Sequence, residues 1–160
     1  MSKPSFVYVI YIASTPEKVF AALTDARMSE RYWFGNHVES DWKAGSPFAL
    51  KRGEKKMCTG TVLESDPPRR LSYTFQSLKD EMPNENPTRV TFEIERQEDQ
   101  VKLTVMHDGF VPGSKVFESI SEGWPLMLSS FKSFLEGGRV LRALWYEEAI
   151  RREQEAQAQQ

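Results

Sequence analysis

The fold is decided by residues 115–138, which read KVFESISEGWPLMLSSFKSFLEGG. Apolar residues recur here at spacings of three and four, which predicts the longest helix of the chain, about five turns in length. They form one stripe: Phe117, Ile120, Trp124, Met127, Phe131 and the pair Phe134 and Leu135. We expect Pro125 to kink or restart this helix, because an internal proline removes a backbone hydrogen bond. Gly137 and Gly138 predict its end.

The chain before that helix predicts a sheet. Residues 6–12 read FVYVIYI, an uninterrupted apolar run that is typical of a strand covered on both faces. From His37 to Asp108, segments rich in β-formers alternate with turns. These segments are Pro47–Lys51, Met57–Leu63, Leu71–Phe75, Thr88–Glu95 and Val101–His107. In the last two, apolar and polar residues alternate, so one face is buried and the other is wet.

Two short helices are predicted between the first strand and these segments. Ser14 and Glu17 have the spacing of a capping box, and Pro16 suits a first helical turn. Thr24-Asp25 predicts a second start, leading into Met28–Phe34. The whole order predicts an α+β fold in which a curved antiparallel sheet wraps around the long C-terminal helix, with a volume enclosed between them.

The composition excludes several classes of protein. The 160 residues include 10 Phe, 4 Trp and 5 Tyr, but only 2 His and the single Cys58. A lone cysteine cannot form an internal disulfide, which favours a reducing cytoplasmic location. The zinc sites built from four Cys and His ligands or from three His cannot be assembled, which leaves only a site with carboxylate ligands as an alternative. We expect no metal and no cofactor. A net charge of −2 argues against nucleic acid as a binding partner, because it provides no positive field to hold a phosphate backbone. The sequence contains no run of 18 apolar residues, so we expect no membrane insertion.

Four stretches of the sequence resemble one known family. They are YIASTPEKVFAALT (residues 11–24), GTVLESDPPRRLSY (60–73), LTVMHDGF (103–110), and GWP with FKSFLEGG (123–125 and 131–138). In this order they are similar to the activator-of-Hsp90-ATPase-homologue group of the START-like (SRPBCC) superfamily. The resemblance implies a helix-grip fold with a deep hydrophobic cavity but no fixed reaction. It divides the chain into a START-like domain at residues 1–138 and a helical extension with a frayed end at 139–160.

Inward positions of the strands and of the helix stripe, together with the resemblance, predict the residues that bind a ligand. They are Trp33, Phe48, Tyr73, Phe75, Phe92, Leu103, Val105, His107, Trp124, Met127 and Phe131. Trp33 and Trp124 fit either the core or a cavity wall. His107 has three interpretations: a hydrogen-bonded core histidine, a polar anchor for a ligand, or a general base, which would need a partner within reach.

Other polar and apolar groups receive less specific interpretations. Residues 51–56, KRGEKK, are typical of a charged hairpin tip, with a docking patch for a partner or an anionic ligand as the alternative. His37 is expected on the surface or in a hairpin. Asp80, Glu81 and Glu85 are interpreted as solvated charge, and nothing near Cys58 in sequence favours a reactive thiolate. Leu141, Leu144 and Trp145 are expected to pack on the parent domain or across a homodimer.

Three functions are compatible with the sequence. The first is a non-catalytic START-like protein that binds a small hydrophobic or amphipathic molecule, such as a lipid. The second, which rests on the family resemblance, is a co-chaperone-like module that interacts with Hsp90. The third is a cyclase-like or hydrolytic enzyme that uses His107 together with a tyrosine such as Tyr73.

Overall fold

The computed structural model describes residues 3–78 and 85–159, and its strands form one antiparallel sheet. The strands are β1 (Phe6–Ile12), β2 (Asn36–Ser40), β3 (Pro47–Arg52), β4 (Lys55–Asp66), β5 (Arg70–Ser77), β6 (Thr88–Gln97) and β7 (Gln100–Asp108). Their spatial order is β1-β7-β6-β5-β4-β3-β2. Chain neighbours are therefore sheet neighbours from β2 to β7, and β1 joins the sheet beside the last strand. The segment that forms β2 was not predicted as a separate strand.

Four helices accompany the sheet in the described residues. They are α1 (Pro16–Thr24), α2 (Ala26–Tyr32), α3 (Lys115–Gly137) and α4 (Leu144–Ala158). The long helix α3 packs on the inner face of the curved sheet, where Trp124, Met127, Leu128 and Phe131 join the inward residues of the strands in one core. The predicted α+β architecture, a sheet wrapped around a long helix, is confirmed.

Helix α3 runs through Pro125 without a restart, so of the two predicted outcomes the restart is wrong, and the kink stays a prediction. A proline removes one backbone bond from a helix. Here the turns around it are held by buried side chains, with Trp124 directly before the proline and Met127 and Leu128 directly after it. Tertiary packing thus maintains the helix across the proline. The predicted end is confirmed: Gly138 adopts a φ of 75°, and its N–H donates to the Phe134 carbonyl.

The starts of the helices depend on individual side chains. Thr15, and not Ser14, caps α1 by accepting a hydrogen bond from the Lys18 N–H, whereas Asp25 caps α2 as predicted. At α3, Ser114 caps the helix, and the Glu85 carboxylate accepts hydrogen bonds from Ser114 Oγ and the Lys115 N–H. Glu85 is therefore a structural group and not the solvated charge that the sequence suggested. Asp80 and Glu81 lie outside the described residues.

Strand β1 lies at the edge of the sheet and is covered on one face only. Val7 is 61% exposed, and Val9 and Tyr11 also face solvent, so the prediction of a strand covered on both faces is wrong. Helix α3 secures the end of this strand: Lys132 Nζ donates to the Tyr11 carbonyl, and the Ala13 N–H donates to Glu136. Lys132 and Glu136 also form an ion pair one helical turn apart.

Gly60 of β4 lies directly against the backbone of Thr74 in β5. A Cβ atom at this position would lie 1.8 Å from the Thr74 carbonyl oxygen, which is far inside van der Waals contact. Next to it, the Thr61 N–H donates to Thr74 Oγ1. Glycine is therefore required here by the space between the strands.

Candidate functional site

A cavity of about 110 Å³ lies between the N-terminal half of α3 and the β2–β5 half of the sheet, with the start of α4 at its mouth. Its lining residues are Trp33, Phe34, Asn36, Leu50, Met57, Cys58, Phe75, Ser77, Val116, Ser119, Ile120, Gly123, Trp124, Met127, Trp145 and Tyr146. None of these side chains is a Lys, Arg, Asp or Glu. The wall is apolar and aromatic with a few neutral polar groups, which is the usual composition of a site for a small organic molecule.

Four of the eleven predicted ligand residues line this cavity: Trp33, Phe75, Trp124 and Met127. Helix spacing placed two of them, and strand alternation placed Phe75. The two tryptophan rings approach to 5.7 Å between centroids. These four side chains provide the aromatic and flexible part of the wall.

The other seven predicted residues lie in the core and do not line the cavity. They are Phe48, Tyr73, Phe92, Leu103, Val105, His107 and Phe131. Phe48 and Tyr73 stack at 4.1 Å, and Phe92 meets the edge of Trp124. Alternation correctly identified the inner face of the sheet, but α3 packs against much of that face, and the cavity lies at the end near β2 to β5. Their role in ligand binding stays a prediction.

His107 is held by hydrogen bonds at both ring nitrogens. Trp124 Nε1–H donates to Nδ1 at 3.1 Å, which assigns the proton to Nε2, and Nε2 lies 2.7 Å from Thr88 Oγ1. The Thr88 hydroxyl in turn donates to the Phe75 carbonyl. Burial in this apolar environment lowers the pKa of His107 to about 3. The geometry matches the interpretation as a core histidine, and it links two cavity residues, Trp124 and Phe75, through the sheet.

Tyr73 was the expected partner of His107 in an enzyme. Burial raises the pKa of Tyr73 well above its ordinary value, so its phenol stays protonated. Asp108, the residue next to His107, faces outward and pairs with Arg89. The described geometry therefore provides no carboxylate or phenolate to activate His107 as a base.

Glycine at position 123 contributes directly to the cavity. It lies on the same face of α3 as Ile120, Trp124 and Met127, and a Cβ built on it would meet no atom within 4 Å. The missing side chain leaves open space in the wall. In the sequence, this glycine indicates only a point of helix interruption.

The first turn of α4 lies at the mouth of the cavity and contributes Trp145 and Tyr146 to its lining. Tyr146 is 8% exposed; its hydroxyl donates to Asn36 Oδ1 at 3.0 Å and accepts from Arg52 Nη1 at 2.8 Å. Arg52 Nη2 also pairs with Glu153 at 3.0 Å, and its guanidinium lies 5.4 Å from the centre of the Tyr146 ring. We refer to Asn36, Arg52, Tyr146 and Glu153 as the α4 latch.

The tail was expected to pack through Leu141, Leu144 and Trp145. In the structure, Leu144 and Trp145 are 64% and 52% exposed, although Trp145 still reaches the cavity lining, and Leu141 is half-buried. The buried residues are Ala143 and Tyr146. Sequence reasoning missed Tyr146 and Asn36, because neither polar side chain belongs to an apolar stripe. The position of Tyr146 at the start of a helix that is mostly polar was the only signal.

Several other groups complete the surroundings of the site. Residues 51–56 form the β3–β4 hairpin, as predicted, and Lys51 pairs with Glu39. His37 is half-buried on the edge strand β2, 4.0 Å from Glu30 and 3.8 Å from Glu39. Within residues 3–78 and 85–159, no group of three or more His, Cys, Asp and Glu side chains could hold a metal ion. None of the helices in these ranges is long and apolar enough to cross a membrane.

Comparisons with known proteins identify both a family and a fold. The family model described as Activator of Hsp90 ATPase homolog 1-like protein matches residues 13–136. No curated protein gives a significant match. The structure is similar to the Aha1 dimer from Colwellia psychrerythraea (21% identity, 84% of this chain and 98% of that chain, TM-score 0.70).

Two further structures have the same fold. One is an HSP90 activator from Plasmodium falciparum (25% identity, 82% of this chain and 95% of that chain, TM-score 0.70). The other is a protein from Mesorhizobium loti (22% identity, 82% of this chain and 96% of that chain, TM-score 0.73). The match of the family model ends within α3, so α4 lies outside it.

Proposed function

Since this chain belongs to the Activator of Hsp90 ATPase homolog 1-like family, with its START-like fold, we propose that it binds a small hydrophobic or amphipathic molecule and is non-catalytic. The observation that carries the proposal is the cavity between α3 and the sheet, whose lining holds no charged side chain. An uncharged wall favours a ligand with an apolar body, because burying an unpaired charge against it is costly.

The engagement of His107 supports binding over catalysis. Both of its ring nitrogens are used in hydrogen bonds, and it lies behind Trp124, outside the cavity lining. The neutral polar groups that do reach the cavity, among them Ser77, Ser119 and Asn36, can orient a ligand by hydrogen bonds.

The division into a START-like domain at 1–138 and an extension at 139–160 is part of the same proposal.

The size of the cavity limits the ligand. Its 110 Å³ is close to the ~150 Å³ that accommodates one aromatic ring and below the ~300 Å³ of common ligand sites. With α4 seated, we therefore expect one-ring molecules to bind first. Native mass spectrometry and dye displacement with indole, phenol and short fatty acids test this expectation.

Gly123 provides the decisive variant. Gly123→Leu places a side chain in the open space of the cavity and also favours the helix, so the fold is expected to persist while ligand binding is lost. Gly137→Leu is the matched control, since that glycine also has open space around it but lies at the end of α3, outside the lining. Equal binding by the wild type and Gly123→Leu would contradict the proposal.

An interaction with Hsp90 is the second candidate, and it is favoured by the family and by the similarity to the Plasmodium falciparum HSP90 activator. Its test is the ATPase activity of Hsp90 in the presence of this protein, together with co-purification of the two chains. The absence of both ATPase stimulation and co-purification would reject this candidate. The result is independent of Gly123→Leu, which separates it from the first proposal.

A homodimer is the third proposal about partners. The similar Colwellia psychrerythraea protein was solved as a dimer. In this chain, Leu144 and Trp145 form an exposed apolar pair at the start of α4, which suits an interface through the C-terminal helix. Light scattering of the wild type and Leu144→Ser measures the oligomeric state. A monomeric wild type would reject this interface.

A further inference from the structure

At about 110 Å³ the cavity is small for a typical ligand, so a wall must move to admit a larger one. Most walls are fixed: α3 and the strands contribute residues to the hydrophobic core. Helix α4 is different, because Tyr146 is its only buried residue, and from Glu147 to Gln159 every residue except the half-buried Ile150 is exposed. The wall that can leave at the lowest cost is therefore α4.

Arg52 is bound by α4 through two groups. Its Nη1 donates to the Tyr146 hydroxyl and its Nη2 pairs with Glu153, while the Tyr146 ring lies beneath the guanidinium. Among the described residues it has no other hydrogen-bond acceptor or ion-pair partner. Its side chain is 21% exposed. When α4 leaves, a half-buried cation at the mouth of an apolar cavity loses both of its partners, which is unfavourable unless a new acceptor replaces them.

Asn36 stands at the same point and faces the same loss. It is 7% exposed, lines the cavity and accepts the hydrogen bond of Tyr146 through Oδ1. Arg52 donates to the Tyr146 hydroxyl, which donates to Asn36 Oδ1, so the Asn36 amide uses its oxygen in this network and its NH₂ group is left as a donor. No partner for this NH₂ exists among the described residues. A carboxylate is an acceptor that suits both the guanidinium and the amide.

We propose that Arg52 and Asn36 form the polar end of the ligand site, which Tyr146 and Glu153 occupy until a ligand displaces them. The ligand class that fits is an apolar body with one carboxylate, because the α4 latch presents to Arg52 a carboxylate and an aromatic ring. The body enters the cavity and the carboxylate stays at the mouth beside Arg52, since none of the residues that line the cavity is charged. This inference rests on the proposed function and specifies its ligand.

Calorimetry on the full chain tests the inference with matched acids and alcohols: dodecanoate against dodecanol, and 3-phenylpropionate against 3-phenylpropanol. The two pairs distinguish an acyl chain from a ring. Tyr146→Ala, which opens the latch, is expected to bind the acids at least about tenfold more tightly than the wild type. Adding Arg52→Gln to Tyr146→Ala is expected to remove at least about tenfold of acid affinity and to leave alcohol affinity within about twofold.

Arg152→Gln is the matched control, because Arg152 is an exposed arginine of α4 that pairs only with Glu148 within the described residues. It is expected to bind every probe like the wild type. Hydrogen exchange of residues 144–158 gives a second measurement in the unmodified chain. Saturation with dodecanoate is expected to speed exchange there if the ligand displaces the helix.

The outcomes separate this inference from the proposed function. Equal affinity for acids and alcohols, with no effect of Arg52→Gln, overturns the acidic ligand and leaves the proposed cavity function intact. Unchanged or slower exchange in α4 with bound dodecanoate overturns the displacement. Failure of all four probes to bind either the wild type or Tyr146→Ala overturns the inference and the proposed function together.

Discussion

Trp124 donates its indole N–H to Nδ1 of His107 at a distance of 3.1 Å, and this bond connects α3 to the centre of the sheet. Because the indole is a donor only, it fixes His107 as the neutral tautomer with its proton on Nε2. The proton then points to Thr88, whose hydroxyl bonds to the Phe75 carbonyl. The two aromatic cavity residues Trp124 and Phe75 are thus positioned by one relay through a buried histidine.

The first prediction concerns pH. The pKa of His107 is lowered from 6.5 to about 3. Between pH 6.5 and pH 3 the His107 imidazole is therefore protonated in the unfolded chain but neutral in the folded protein. The contribution of His107 to stability is therefore complete above pH 6.5 and is lost as the pH falls toward 3, by about 1.4 kcal/mol per unit. Urea unfolding is expected to give a free energy about 2 kcal/mol lower at pH 5 than at pH 7.

His107→Gln provides the control for this pH dependence. A neutral amide removes the titrating group, so the loss between pH 7 and pH 5 should shrink by about 2 kcal/mol relative to the wild type. The window lies above the ordinary range of carboxyl groups, and the second histidine, His37, is present in both proteins, so the difference between them reports on His107 alone. An identical pH dependence in the two proteins would show that His107 is not the cause.

The second prediction removes the donor of the relay. Trp124→Phe keeps an aromatic ring but leaves Nδ1 of His107 buried without a hydrogen bond, at an expected cost of about 1–3 kcal/mol in urea unfolding. Trp145→Phe is the comparison, because Trp145 is half exposed, and its expected change is within about 0.5 kcal/mol. Similar costs for the two substitutions would mean that ring size, and not the hydrogen bond, decides.

The third prediction concerns the close approach of β4 and β5. Gly60→Ala forces a methyl group onto the Thr74 carbonyl, which belongs to the backbone and cannot rotate away. The strands must separate locally, and we expect a loss of about 1–3 kcal/mol in the free energy of unfolding. Wild-type stability in this variant would show that the two strands can separate freely.

The fourth prediction is that replacing glycine by alanine changes the stability in opposite directions at two positions, Gly123 within α3 and Gly138 at its C-cap. Gly123→Ala adds a methyl group in open space within α3 and is expected to raise stability by about 0.5–1 kcal/mol. Gly138→Ala places a side chain at a φ of 75° and is expected to lower it by about 1–2 kcal/mol. Paired thermal melts measure both, and a shift of equal sign would contradict the assignment.

The fold could be predicted because its signals are periodic. The stripe from Phe117 to Leu135 and the alternation in β6 and β7 each depend on one element and its buried face. The errors came where tertiary context decides: β1 is apolar but lies at an edge, and α3 continues through Pro125 because its neighbours are buried. Thr15 outcompeted Ser14 as a cap, a choice that spacing alone does not settle.

The candidate site was predictable only in part. Periodicity identifies inward positions, but it does not show which of them face atoms and which face a void. Phe92 and Trp124 are both inward, yet only Trp124 lines the cavity. Gly123, Asn36 and Tyr146 contribute through an absent side chain or through polar contacts between distant segments, and a hydrophobic pattern carries no such information.

The attachment of β1 to α3 has a consequence for solubility. The strand FVYVIYI contains neither charge nor proline, the devices by which edge strands resist the addition of another chain, and it has the composition of an aggregation-prone window. Lys132 and Glu136, which lie 121 and 123 residues further along the chain than their partners, bring charge to the end of the strand. Lys132 donates to the Tyr11 carbonyl, and Glu136 accepts from the Ala13 N–H. Lys3 and Pro4 precede the segment in the sequence, whereas the charge at its other end is supplied by the fold and is present only while α3 is docked.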